Sequence, residues 1–152
     1  MVIACADSRV CPSNILGFQP GEVFMIRNIA NLVPVMKNGP SECNAALQFA
    51  VTTLQVENIL VIGHSSCAGI EALMNMQEDA ESRNFIHKWV ANGKLAKQRT
   101  KAATAHLSFD QQCKFCEKKE AVMLSKNKNS GADCCYTRKL ETTFMTMKSN
   151  SI

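Results

Sequence analysis

With 152 residues, 46% hydrophobic and 20% charged, the chain is one domain's worth of material, with apolar surface for a single core. Seven Gly and four Pro exclude collagen-like or low-complexity character, the apolar content excludes wholesale disorder, and there is no run of about 18 apolar residues to span a membrane. The net charge of +4 gathers at one end: residues 119–152 hold six Lys or Arg and three acids, leaving eleven basic and ten acidic side chains in 1–118, so no basic stripe points to a nucleic-acid partner.

Val2–Cys5 is short, apolar and β-branched, and predicts the end of a buried strand entering a polar loop. Pro12–Leu16 suits a helical turn stopped by Gly17, and Pro20-Gly21 a turn before a second strand over Val23–Arg27. Asn38–Pro40 punctuates again. Ser41 then caps a helix expected to run to about Val56, with Leu47, Ala50, Val51 and Leu54 on one face. Ile59–Ile62 reads as a third strand, its unbroken apolar run being that of a parallel strand covered on both faces. Helices are expected over Ala68–Met76, over Glu81–Val90 with Phe85, Ile86 and Trp89 on one face, and over about Lys94–Ala105. A capping box at Ser108–Gln111 starts a last helix through Lys118. Beyond it the sequence is rich in Lys, Ser, Thr and Asn and keeps no period, so 119–152 is expected to be a poorly ordered tail behind a domain of 1–118. Strand–helix–strand alternation predicts an α/β fold with a mostly parallel central sheet flanked by helices, and a site outside the carboxyl ends of its strands.

The first residues, Met1–Arg9, lack a basic n-region and a long apolar stretch, so no targeting segment is expected within this chain. Eight cysteines in such a setting point to metal or reactive thiols. Cys5 and His64 both fall at strand ends, and His64-Ser-Ser-Cys67 brings an imidazole and a thiol together across one strand-to-helix turn. Three such ligands suit tetrahedral zinc with its fourth position open. Asp7, two residues after Cys5, can accept a hydrogen bond from metal-bound water, and Arg9 can hold that carboxylate in a charge-assisted fork. Taken singly, His-x-x-Cys can be incidental, Asp-x-Arg a surface ion pair, and Cys113-Lys-Phe-Cys116 a pair of structural helix cysteines.

Cys5-Ala-Asp-Ser-Arg9 followed by His64-Ser-Ser-Cys67 resembles the C-x-D-x-R and H-x-x-C motifs of the β-class carbonic anhydrases. The likeness continues through Phe18–Gly21, Arg27–Val33 and Ile59–His64, and Cys113–Lys118 is most similar to plant members; it covers roughly residues 1–118. The resemblance implies one Zn2+ per chain on Cys5, His64 and Cys67, with Asp7 and Arg9 as the catalytic, orienting dyad. It implies that Phe24, Ile29 and Phe49 line a carbon dioxide pocket and that Gly69 permits a tight turn beside the metal. Apart from the family, those three apolar residues read as core. It also implies that Asp7 either orients solvent or itself takes the fourth position.

The implied activity is zinc-dependent, reversible hydration of carbon dioxide to bicarbonate and a proton, by hydroxide generated on the metal. The alternative is a truncated, non-catalytic zinc-binding homologue that associates with full-length subunits. Two thiolates cancel the formal charge of the metal, so its water should be less acidic than on a tris-histidine zinc and the rate should rise towards alkaline pH. By the same resemblance the chain is expected to form a homo-oligomer built from dimers, in the chloroplast stroma or the cytoplasm. Helices upstream of the first strand, a glutamine there, and the edge elements after Lys118 are expected to be missing.

Overall fold

Short runs of Val and Ile make the two central strands, and every strand pair of the described sheet is parallel. The computed structural model describes residues 1–34, 40–77, 84–119 and 140–145. In it β1 (Val2–Cys5), β2 (Met25–Asn28), β3 (Ile59–His64) and β4 (Leu140–Met145) lie in the order β2-β1-β3-β4. Register sets the function-bearing edge: Cys5 pairs with Asn28, and Ala4 with Ile62, which brings Cys5 level with the Gly63-His64 end of β3.

Apolar side chains cover both faces, as the unbroken runs require. Val2, Ala4 and Ile62 pack with Val10, Phe18, Val23 and Met25. On the other face Ile3, Ile59 and Val61 pack with Leu47, Val33, Val51 and Val56. A third cluster gathers Ile70, Leu73, Met74, Val90, Ala96, Cys113 and Cys116, and it includes Cys5 and Cys67. Full burial of one large apolar side chain contributes about 1.5–3 kcal/mol. The two sulfurs are therefore part of a packed core, which fixes their positions more firmly than a surface loop would.

Six helices surround the sheet among the described residues: α1 (Pro12–Leu16), α2 (Glu42–Thr52), α3 (Ala68–Asn75), α4 (Phe85–Val90), α5 (Lys94–Ala103) and α6 (Phe109–Lys119). Their ends follow capping chemistry. Gly17 closes α1 in the left-handed region at φ 76°. Ser41 Oγ accepts the Asn44 N–H at the start of α2. Ser108 and Gln111 make the reciprocal capping box before α6, Oγ accepting from the Gln111 N–H and Oε1 from the Ser108 N–H.

Three expectations need correction. α2 ends at Thr52, about one turn before Val56: the β-branched run Val51–Thr53 is poor helix, Gln55 turns left-handed at φ 52°, and Leu54 is left 46% exposed. On α4 the buried residue is Val90, while Phe85 is 84% exposed. Most consequential, a further strand lies beyond β3, in the stretch expected to be a poorly ordered tail. β4 pairs with β3 from Ile59↔Leu140 to His64↔Met145, although the sequence there keeps no strand period. Its Thr-Thr-Phe stretch has β propensity, and the free ladder of β3 supplies a template that no local pattern announces. The Asn38-Gly39 part of the expected turn, the 81–83 start of the expected helix, and the rest of 119–152, Cys134-Cys135 included, lie outside the described residues.

Candidate metal centre

β1 delivers Cys5, and β3 delivers His64, to the same end of the sheet. The chain then reverses at Ser66, which is left-handed at φ 55°, and Cys67 becomes the N-cap of α3. The ligand atoms of Cys5, His64 and Cys67 all lie within 4.8 Å of one another, and all three residues are buried. The sulfurs are 4.0 Å apart, close to the roughly 3.8 Å that two thiolates on one tetrahedral zinc would show. His64 Nδ1 is held by the Ser65 carbonyl at 3.0 Å. Its Nε2 is buried with no hydrogen-bond partner among the described residues. Such an orphaned nitrogen is unfavourable unless a ligand takes its lone pair. The donor set thus fits a zinc ion, which Cys5, Cys67 and His64 Nε2 would hold.

Without a metal the two thiols share one proton. The hydrogen bond with Cys67 pulls Cys5 down to about 4, against its burial, with help from His64 and the amides of Asp7 and Ala30. Donation to Cys5, together with burial, pushes Cys67 far up, against the amides of Ile70 and Gly69. Burial alone would lower the His64 pKa, but the Cys5 sulfur and its charge leave it net raised. Cys5 can receive the Ala30 amide because Ala30 and Asn31 are both left-handed, at φ 63° and 44°. The sequence-based dyad is formed beside this cluster. Asp7 Oδ1 accepts from Arg9 Nε and from the Arg9 backbone N–H, each at 2.9 Å, and Oδ2 accepts from Nη2 at 2.6 Å. Those bonds hold the Asp7 carboxyl far below the usual carboxylate range.

Two residues that matter were not singled out from the sequence. Arg27 on β2 donates to the carbonyls of Cys5 at 3.1 Å, Asp7 at 2.7 Å and Val10 at 2.6 Å, so it pins the loop that carries the dyad. Glu117, 4% exposed on α6, accepts the backbone N–H of Cys67 at 2.8 Å. Its burial raises the carboxyl pKa, partly offset by the amides of Cys67 and Ser66. The available signal was spacing: Cys113, Cys116 and Glu117 share one buried face of α6, where an acid is out of place.

The residues expected to line a substrate pocket are only partly gathered. Phe24 and Phe49 pack against each other, ring centroids 5.9 Å apart. Phe24 precedes β2, with its carbonyl accepting the Val2 N–H, and so sits at the opposite end of the strand from the ligand cluster. Ile29 lies beside the cluster and lines a separate cavity of about 440 Å³ with Ile26, Arg27, Asn28, Glu42, Cys43 and Trp89. Gly69 makes no tight turn; it is helical, within α3, and its role is close approach. A Cβ there would lie 2.8 Å from both Ala30 Cβ and Ile29 Cγ2. Cys113 and Cys116 are buried in the core.

A parallel sheet that gathers two thiols and an imidazole at its carboxyl edge defines an α/β protein with a group that could hold a metal ion. The family model described as carbonic anhydrase matches residues 1–131, past the residue 118 at which the sequence resemblance stops, and the chain belongs to that family. It is 64% identical over 118 residues to beta carbonic anhydrase 5, chloroplastic, and 62% identical over 127 residues to beta carbonic anhydrase 6, mitochondrial, both of Arabidopsis thaliana. These matches cover 78% and 81% of this chain but only 39% and 44% of the two relatives, so the chain spans less than half of their length. The solved structure of the β-carbonic anhydrase CcaA superposes with a TM-score of 0.80 over 95% of this chain and 72% of that one; at 22% identity it shows the shared fold.

Proposed function

We propose that this chain catalyses the reversible hydration of carbon dioxide to bicarbonate and a proton, at a zinc ion held by Cys5, His64 and Cys67. The observation that carries the reading is the convergence of those three ligand atoms within 4.8 Å, with His64 Nε2 buried and unpartnered, beside the locked Asp7–Arg9 pair. Zinc supplies Lewis acidity that makes water a nucleophile at moderate pH. The side chains supply orientation. Asp7 stays ionised under the Arg9 fork and keeps lone pairs to accept a hydrogen bond from attacking solvent. With both of its oxygens engaged by Arg9, it suits that orienting role better than ligation in the fourth position. Buried Cys5 and Cys67 carry the charge that balances the metal.

Ile29 and the Phe24–Phe49 pair are assigned to an apolar substrate-facing surface, and Gly69 to close packing behind the ligands. Ile29 is 43% exposed and Phe49 46%, flanking β2, an edge strand whose outer ladder pairs with no other described strand. A homo-oligomer built from dimers would cover that edge and complete the surface. The chloroplastic and mitochondrial names of the relatives favour an organelle, with the chloroplast stroma the compartment proposed. The test is stopped-flow carbon dioxide hydration on purified, zinc-quantified protein beside Asp7→Ala. One zinc per chain with turnover in the parent and strong loss in the variant supports the reading. Zinc without turnover favours the non-catalytic alternative, and absence of zinc overturns both.

A further inference from the structure

Glu117 is unusual on two independent grounds. It is a carboxylate at 4% exposure on the face of α6 that also buries Cys113 and Cys116. Its Oε2 is buried without a hydrogen-bond partner among the described residues. A group so placed is disfavoured unless something specific holds it.

What holds it is the turn between β3 and α3. Ser66 is left-handed at φ 55°, a conformation that turns successive backbone N–H groups towards one point and makes a small anion cradle. Glu117 Oε1 occupies that cradle, 2.8 Å from the Cys67 N–H and near the Ser66 amide, at the positive end of α3. On the other side of the same turn, Arg9 Nη2 donates to the Ser66 carbonyl at 2.9 Å. The segment between His64 and Cys67 is thus gripped by a carboxyl oxygen on the Cys67 amide and a guanidinium on the Ser66 carbonyl.

We propose that Glu117 is a positioning residue of the metal centre: by filling the Ser66–Cys67 amide cradle it fixes the backbone from which the Cys67 sulfur reaches the point shared with Cys5 and His64. This rests on the reading of Cys5, His64 and Cys67 as a metal site. A cavity of about 310 Å³ lined by Ser66, Cys67, Glu71, Phe109, Cys113 and Glu117 adjoins the contact. Without the carboxylate, the turn has room to relax into that cavity.

The test is Co2+ binding to the full 152-residue chain, read as affinity and as thiolate-to-cobalt charge-transfer absorption, for the parent and for Glu117→Ala, Glu117→Gln and Glu117→Asp. Glutamine keeps an acceptor at the right reach, whereas aspartate keeps the charge and withdraws it. Glu117→Ala and Glu117→Asp are expected to bind on the order of 10- to 100-fold more weakly, with a displaced charge-transfer band, and Glu117→Gln to stay within about threefold of the parent. Thermal unfolding of each metal-free protein, run in parallel, separates this from general destabilisation. If Glu117→Ala does not fold, the Gln–Asp order decides. Parental affinity and spectrum in Glu117→Ala, or Asp outperforming Gln, overturns the inference while leaving the metal site intact. A parent that binds no cobalt overturns the metal site itself, and the inference with it.

Discussion

Arg9 Nη2 stands 2.6 Å from Asp7 Oδ2 and 2.9 Å from the Ser66 carbonyl oxygen, so one nitrogen ties the carboxylate beside the Cys5–His64–Cys67 cluster to the turn that carries Cys67. The arrangement needs a planar fork. Nε and Nη2 take the two oxygens of Asp7, and Nη2 has a second hydrogen for Ser66.

Arg9→Lys keeps the charge and loses that geometry. A lysine amine can satisfy Asp7 or Ser66 but cannot present two parallel donors to the carboxylate. Carbon dioxide hydration is expected to fall on the order of 10- to 100-fold while zinc content stays at one per chain, measured by stopped flow and by metal analysis of the same sample. Turnover equal to the parent would show that the fork has no part in orienting Asp7.

Metal affinity should depend on pH with a slope set by the three ligands. Only deprotonated thiols and a neutral imidazole bind metal. With Cys5 brought down to about 4 and Cys67 pushed far up, the metal-free pair carries one proton at neutral pH. Above the raised pKa of His64, binding releases that single proton, and affinity should climb about tenfold per pH unit. As pH falls through the His64 value a second proton must leave, and the slope should steepen towards about a hundredfold per unit. Chelator competition between pH 6 and 8.5 measures it. A flat dependence would mean that Cys67 does not give up its proton to the ion.

The residues that make the cluster were legible because their placement is local. Cys5 ends a strand, His64 ends another, and Cys67 follows across one turn, so parallel pairing alone brings them to one edge. Arg27 and Glu117 were not legible, because their contacts join positions 22 and 50 residues apart through tertiary packing. β4 escaped for the same reason: Leu140–Met145 is a strand because β3 has an open ladder, and its own sequence carries little alternation. Phe85 misled the face of α4 because an apolar residue in a short helix need not point inward. The paired metal motifs carried the family; composition and periodicity reached only the α/β class.

Gly69→Ala tests how tightly α3 must approach the turn at Ile29–Asn31. The added methyl would meet Ala30 Cβ and Ile29 Cγ2 at 2.8 Å and the Ala30 backbone nitrogen at 3.1 Å. Backbone cannot rotate aside as a side-chain tip can, and the Ala30 amide is one of those that stabilise the Cys5 thiolate. Loss of about 1–3 kcal/mol in thermal or urea unfolding is expected, together with weaker metal binding. Parental stability would mean that the turn yields freely and does not hold Cys5.

Differential alkylation separates the ligand thiols from the structural ones. The hydrogen bond with Cys67 holds Cys5 well below the usual thiol range, whereas burial raises Cys43 and Cys113 to about 11 and keeps them protonated at pH 7. Only about one molecule in ten thousand then exposes a thiolate at either of those two positions. Iodoacetamide on the metal-free folded protein should therefore mark Cys5 well before Cys43 or Cys113, read by peptide mass spectrometry. Zinc added beforehand should protect Cys5 and Cys67 together, since a coordinated sulfur no longer offers its lone pair for attack. The half-buried Cys11 lies outside the cluster and serves as the internal reference, its labelling unchanged by zinc. Labelling of Cys43 or Cys113 as fast as Cys5 would show that Cys5 is not held as a thiolate, and protection by zinc of one ligand thiol without the other would show that the two sulfurs do not share an ion.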